Sequence, residues 1–123
     1  MKNITQIKEL YKRYITIYKN DSATLKLLAE QLENPDQDII SRKNFIGHIT
    51  ASAFIVNKNT RQVLLLHHKS LGKLLQPGGH IEDADSSPLN AALREAEEET
   101  GLRSEDLELR PILRQYIEVP FHI

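Results

Sequence analysis

Four glutamates crowd one short stretch of this chain, Arg94-Glu95-Ala96-Glu97-Glu98-Glu99-Thr100-Gly101-Leu102, which begins fifteen residues after Gly79. Glu95, Glu98 and Glu99 stand at i, i+3 and i+4, so on a helix they are surface neighbours. Glu97 points away from them and is read as solvated. Like charges at that spacing cost a few tenths of a kcal/mol per pair. A hard divalent cation with oxygen ligands reverses the cost, and Mg²⁺ or Mn²⁺ is the natural choice. The chemistry of such a site is phosphate chemistry. A glutamate run by itself is ordinarily a solvated acidic face. Here Arg94, Gly101 and the upstream pair Gly78-Gly79 shift the balance toward a site.

The elements that must position these carboxylates are readable. Ser87 is a good N-cap, Pro88 suits the first helical position, and Gly101 suits the left-handed position just past the end. Leu89, Ala92, Leu93, Ala96 and Thr100 make the expected buried stripe. Pro77-Gly78-Gly79 reads as a tight turn that uses glycine's backbone freedom. Upstream, residues 49–56 read as a strand, Asn57-Lys58-Asn59-Thr60 as a turn, and residues 62–68 as the hairpin partner. Val63-Leu64-Leu65-Leu66 is apolar at every position, which predicts a strand covered on both faces. Residues 70–76 read as a loop. A last strand is expected within residues 112–119.

Two helices open the chain. Ile4, Ile7, Leu10, Tyr11, Tyr14 and Tyr18 recur at helical steps and share a face. Asn20-Asp21-Ser22 interrupts them. Leu25, Leu28 and Leu32 mark the second helix, with Asp21 or Ser22 as its N-cap and Asn34-Pro35 as its end. The tyrosines are read as packing residues in preference to base-stacking ones. Residues 36–44 read as a linker or a short turn of helix. His67 and His68 point to opposite faces of a strand end. They are read as surface or loop-packing residues, Lys69 and Lys73 as solvated loop lysines, and His80 as no metal ligand.

The 123 residues suit one domain of ordinary size. A net charge of −1 gives no basic field for a polyanion, so nucleic acid is not an expected partner. The absence of cysteine excludes disulfides, thiolate metal sites and cysteine nucleophiles. No apolar run approaches the roughly 20 residues of a membrane span. The N-terminus lacks a signal peptide's apolar core. A cytoplasmic protein without membrane contact is expected.

The stretch from Gly79-His80-Ile81-Glu82 to Arg94-Glu95-Ala96-Glu97-Glu98-Glu99-Thr100-Gly101-Leu102 resembles the Nudix box, Gly-x5-Glu-x7-Arg-Glu-U-x-Glu-Glu-x-Gly-U, with U aliphatic. Gln76-Pro77-Gly78-Gly79 is similar to its usual lead-in. Two departures stand out. The family's first glutamate is missing: Asp85 keeps the distance to Gly79, and Ser86 keeps the distance to Arg94. One residue inserted before the helix, with Asp85 in the acidic role, accounts for both. Ala96 is small for its aliphatic position.

The resemblance implies an α+β fold, an α/β/α sandwich with a mixed sheet. It implies a domain at residues 44–123 after an N-terminal helical segment at 1–43. It implies Glu95, Glu98 and Glu99 as metal ligands, joined by the Gly79 carbonyl. Arg94 would orient those carboxylates or bridge to Asp85. The implied activity is hydrolysis of a diphosphate linkage in a nucleoside diphosphate derivative, by activated water, with Mg²⁺ or Mn²⁺. The general base is one of the helix glutamates or a residue of a later loop. The alternative is an inactive Nudix-fold nucleotide-binding or regulatory module. The intact glutamate set favours the enzyme, and the displaced acid favours the module. The small-molecule nucleotide is the expected partner, and the N-terminal helices either pack on the domain or mediate a homodimer. The stretch after Phe45 is short for the family, so the expectation is a domain incomplete at its C-terminus or completed by a partner chain.

Overall fold

A computed structural model describes residues 4–109. The strand expected within 112–119 lies outside the described residues. Two compact units divide the chain: within the described part the second is Ile49–Glu108, and the residues before it together with Leu109 belong to the first.

The first unit holds α1 (Ile4–Ile17) and α2 (Lys26–Glu33), joined through a 3-10 turn at Lys19–Asp21. Ile7 and Tyr14 of α1 are buried, two turns apart on one face. The Tyr14 hydroxyl donates to the Asp21 carboxylate, and the Tyr14 and Tyr18 rings lie 4.7 Å apart. That contact occupies Asp21, which therefore does not cap α2. Leu25 holds the cap position instead, without a side-chain bond. Residues 36–44 are neither an open linker nor a helix. Ile39 and Ile40 are buried, and the Asp38 carboxylate accepts the Ile40 and Ser41 N–H groups at 3.1 and 3.3 Å. Short polar side chains bonding to nearby backbone take the place of a helical ladder here. Gln31 is buried, and its amide donates to Gln37 Oε1 and to the Gly47 carbonyl.

The second unit, Ile49–Glu108, carries β1 (Thr50–Ser52), β2 (Leu66–His68), β3 (Lys73–Leu75), β4 (Gly78–His80) and α3 (Pro88–Thr100). β1 pairs antiparallel with β4, Ala51 opposite Gly79. β2 pairs antiparallel with β3, Leu66 opposite Leu75. Helices with small antiparallel sheets make the described part α+β. The expected hairpin forms near its turn: Val56 bridges Val63, and Leu64 N–H donates to the Ile55 carbonyl at 2.9 Å.

Three expectations are corrected here. Residues 70–76 are not all loop, because β3 occupies Lys73–Leu75. Gly72, at φ 61°, supplies the left-handed residue that turns the chain back. Gly78 and Gly79 are strand, not turn, and neither has positive φ. Their need is space. A Cβ on Gly78 would lie 2.6 Å from the Ala51 carbonyl oxygen, and one on Gly79 would lie 2.6 Å from Glu95 Oε1. Finally, the strand expected over residues 62–68 is reduced to β2 with an isolated bridge at Val63, and its apolar run is not covered on both faces. Leu64 and Leu66 are half-buried while Val63 and Leu65 are exposed. Strand alternation turns that second pair to a face left open among the described residues.

α3 begins and ends as its sequence dictates. The Ser87 hydroxyl accepts the Asn90 N–H at 3.0 Å, Pro88 opens the helix, and Gly101 closes it at φ 79°. The helix lies against β1 and β4. Ala91 and Ala96 are fully buried, while Leu89, Ala92, Leu93 and Thr100 are half-buried. The line of closest approach thus runs through two methyl side chains, and it includes Ala91 beside the expected stripe. Small residues let the helix sit close to the strand that bears the glycine pair.

Candidate functional site

Arg94, on the second turn of α3, is the hub. Its Nε donates to Asp85 Oδ1 at 2.9 Å and its Nη2 to Asp85 Oδ2 at 3.0 Å. Two parallel bonds of this kind are the strong form of an arginine–carboxylate pair. Nη2 also donates to the His80 carbonyl at 3.0 Å, which ties the helix to β4. Nη1 donates to Glu95 Oε1 at 3.0 Å and to Glu98 Oε2 at 3.2 Å. Glu82 stands 3.9 Å from the same nitrogen.

Asp85 is 6% exposed. It closes its own turn, since Oδ2 accepts the Glu82 N–H at 2.8 Å while its N–H donates to the Glu82 carbonyl. The structure therefore brings the displaced acid of the sequence directly to Arg94. Ser86, the residue at the alternative spacing, instead meets the Asn90 amide.

The three helix carboxylates sit in different surroundings. The Glu95 side chain is 15% exposed and lies against Gly79. The Glu98 side chain is 58% exposed. Glu99 Oε1 accepts the Gly78 N–H at 3.0 Å. Both glycines of β4 thus face a glutamate of α3, one through space and one through a hydrogen bond. Sequence reasoning missed the Gly78 amide. The signal was present in the glycine pair, read as a request for positive φ when it is a request for close approach.

Electrostatics separate the acids further. The hydrogen bonds from Arg94 hold the Asp85 carboxyl below the usual carboxylate range, against the opposing effect of burial. Burial pushes Glu95 up, and the Arg94 hydrogen bond offsets only part of this. Arg94 itself is raised by Asp85. The two acids act oppositely on stability. Asp85's contribution is present above its unfolded value of about 3.9 and is lost as pH falls through its lower folded value. The raised Glu95 becomes less unfavourable as it takes up its proton. Wild-type thermal melts are expected to lose stability below about pH 4, and Asp85→Asn to show a flatter slope there. Equal slopes would mean the pair does not govern acid stability.

Among the described residues, no group of three or more His, Asp or Glu side chains already stands in metal-holding geometry. The reason is local: Glu95 and Glu98 turn to Arg94, and Glu99 turns to Gly78. The donor set still suits a hard divalent ion. It is all oxygen, it lies on adjacent turns of one helix, and it includes a carboxylate whose burial disfavours bare charge. Glu95, Glu98 and Glu99 would hold the ion, beside the Gly79 backbone against which Glu95 lies.

A family model for the NUDIX domain matches residues 47–122. The match spans more than half of the chain, which therefore belongs to the Nudix family. That family points to hydrolases of the pyrophosphohydrolase type, which generally use divalent metals. No curated protein and no solved structure matches the chain significantly. Among the described residues no helix is long and apolar enough to cross a membrane.

Proposed function

We propose that this chain is a divalent-metal-dependent hydrolase that cleaves a diphosphate linkage in a nucleoside diphosphate derivative by activated-water attack on phosphorus. The observation that carries the reading is the Arg94 hub. One guanidinium anchored on buried Asp85 reaches both Glu95 and Glu98, and the neighbouring Glu99 is anchored on β4. A divalent ion would draw these neighbouring carboxylates together over the short distances that separate them on adjacent turns.

Bound Mg²⁺ or Mn²⁺ would supply Lewis acidity, neutralising phosphate oxygens and making water a better nucleophile. Glu95, Glu98 and Glu99 would hold the ion. Arg94 orients Glu95 and Glu98 through its hydrogen bonds, and it is already engaged by carboxylates, so its role is positioning. Glu98 and Glu99 are exposed to solvent, and the general base would be one of the helix glutamates or a residue of a later loop. Residues 44–123 would form the catalytic domain, with 1–43 as a helical segment before it. The setting would be cytoplasmic, and the partner a small nucleotide.

The test is nucleotide or phosphate release from a panel of nucleoside diphosphate derivatives with Mg²⁺ or Mn²⁺, run beside Glu98→Gln. The variant is expected to lose about 10²-fold or more in rate. Undiminished turnover in Glu98→Gln would overturn the assignment. A wild type that turns nothing over and shows no Mg²⁺-dependent rise in melting temperature would point to a binding module.

A further inference from the structure

Each of the three helix carboxylates has one oxygen committed to a protein donor. Arg94 Nη1 donates to Glu95 Oε1 at 3.0 Å and to Glu98 Oε2 at 3.2 Å. The Gly78 N–H donates to Glu99 Oε1 at 3.0 Å. Two of the carboxylates are thus held from the helix itself and the third from the sheet. The strand pairing explains why Gly78 has this donor to give. Ser52 stands opposite Gly78 in the β1–β4 register, and the Ala53 N–H donates to the Pro77 carbonyl at 2.8 Å. Paired residues of an antiparallel ladder alternate between exchanging hydrogen bonds and not. The Ser52–Gly78 pair is therefore a non-bonded one, and the Gly78 N–H points away from β1. A half-buried backbone donor turned out of its ladder needs an acceptor, and Glu99 provides it. Buried Pro77, with its fixed φ, precedes Gly78 and limits how far the donor can shift.

We propose that the Gly78 N–H is a positioning group for the reaction, an outer donor that holds Glu99 by Oε1 while Oε2 serves the divalent ion. The proposal rests on the hydrolase reading and deepens it, giving Glu99 the fixed pivot that Glu95 and Glu98 receive from Arg94. Carboxylates that bind a metal are themselves hydrogen-bonded, and such outer partners orient the ligand and tune the metal. An exposed glutamate loses rotamer freedom when it binds an ion, and the Gly78 N–H has already removed much of it. The Glu95 carboxyl is raised chiefly by burial, and contact with the Glu99 side chain adds to the rise, so these two acids are already neighbours. Pivoting about its held oxygen brings the other oxygen of Glu99 toward Glu95 and leaves the bond to β4 intact. The sheet therefore enters metal affinity through a backbone amide, and no side chain of β4 is required for it.

The experiment measures Mg²⁺ and Mn²⁺ affinity by calorimetry on the whole chain, in wild type and in protein carrying glycolic acid in place of Gly78. Glycolic acid turns the N–H into an ester oxygen and adds no side chain. Affinity is expected to fall about 10- to 100-fold. The same exchange at Gly72, whose N–H donates to the His68 carbonyl in the β2–β3 turn, should leave affinity unchanged. Hydrogen exchange at Gly78 gives a second readout on unmodified protein. Protection of its N–H should persist or rise as the ion is added. It should also survive in Glu99→Gln, whose side-chain oxygen still accepts the N–H although the ligand charge is gone. Equal metal affinity with and without the Gly78 N–H overturns the positioning role and leaves the hydrolase reading standing. So does loss of Gly78 protection on adding the ion, since amide and ion would then compete for one carboxylate. A wild type that binds neither ion overturns the hydrolase reading and this role with it.

Discussion

Replacing Arg94 with alanine is expected to destabilise the protein by about 3 kcal/mol, because breaking a buried ion pair leaves an uncompensated charge. The uncompensated group is Asp85, 6% exposed and held by two arginine bonds. Glu95 adds to the loss, since burial already disfavours its charge and Arg94 is what opposes that. The tie from the helix to the His80 carbonyl disappears at the same time. A fall of more than about 10 °C in melting temperature follows for a unit of this size. Urea unfolding of Arg94→Ala, Asp85→Ala and the double variant would check it. The double variant should cost less than the sum of the singles, with a coupling of about 1–3 kcal/mol. Additive singles would show that the bridge is decoration.

The second large effect separates two adjacent glycines. In Gly78→Ala the new methyl meets backbone, 2.6 Å from the Ala51 oxygen and 2.7 Å from Ser52 Cα. Backbone yields only if β1 and β4 move apart, so a stability loss of about 2 kcal/mol is expected. In Gly79→Ala the methyl meets only the Glu95 carboxylate, 2.6 Å from Oε1. A flexible side-chain end moves aside, so the fold is kept and the carboxylate is displaced. Misplacement of about 1 Å costs on the order of 10²-fold in rate. Melting curves and Mg²⁺-dependent turnover of the two variants should therefore give opposite patterns. Similar behaviour would mean that the glycines serve one common purpose.

The helix was the most legible element. Ser87, Pro88 and Gly101 state its ends through capping chemistry that acts locally, and the structure follows them. The glutamate spacing likewise places Glu95, Glu98 and Glu99 on neighbouring positions without any tertiary knowledge. Legibility fell where a residue's reason is a partner far along the chain. Gly78 and Gly79 are glycine because Ser52 and Glu95 come close, and nothing near them in sequence says so. The Asp85 bridge was legible as an option, from its displaced spacing, but not its bidentate geometry. The cap of α2 was misread because Tyr14 reaches Asp21 first. The apolar run Val63-Leu64-Leu65-Leu66 was misread because composition does not say whether a second layer covers a strand.

The described strands of the second unit fall into two separate pairs, β1 with β4 and β2 with β3. The first pair bears the helix and its Arg94 bridge; the second lines one side of a groove of about 410 Å³ beside Glu99. Variation is therefore unequally tolerated. Enlarging Ala91 or Ala96 would push α3 off its strands and move all three carboxylates together. Changing the length or residues of the β2–β3 turn would reshape that groove and leave the Arg94 bridge in place. Proteins with the same helix and different hairpins should therefore keep the Arg94 bridge while the groove beside it changes shape.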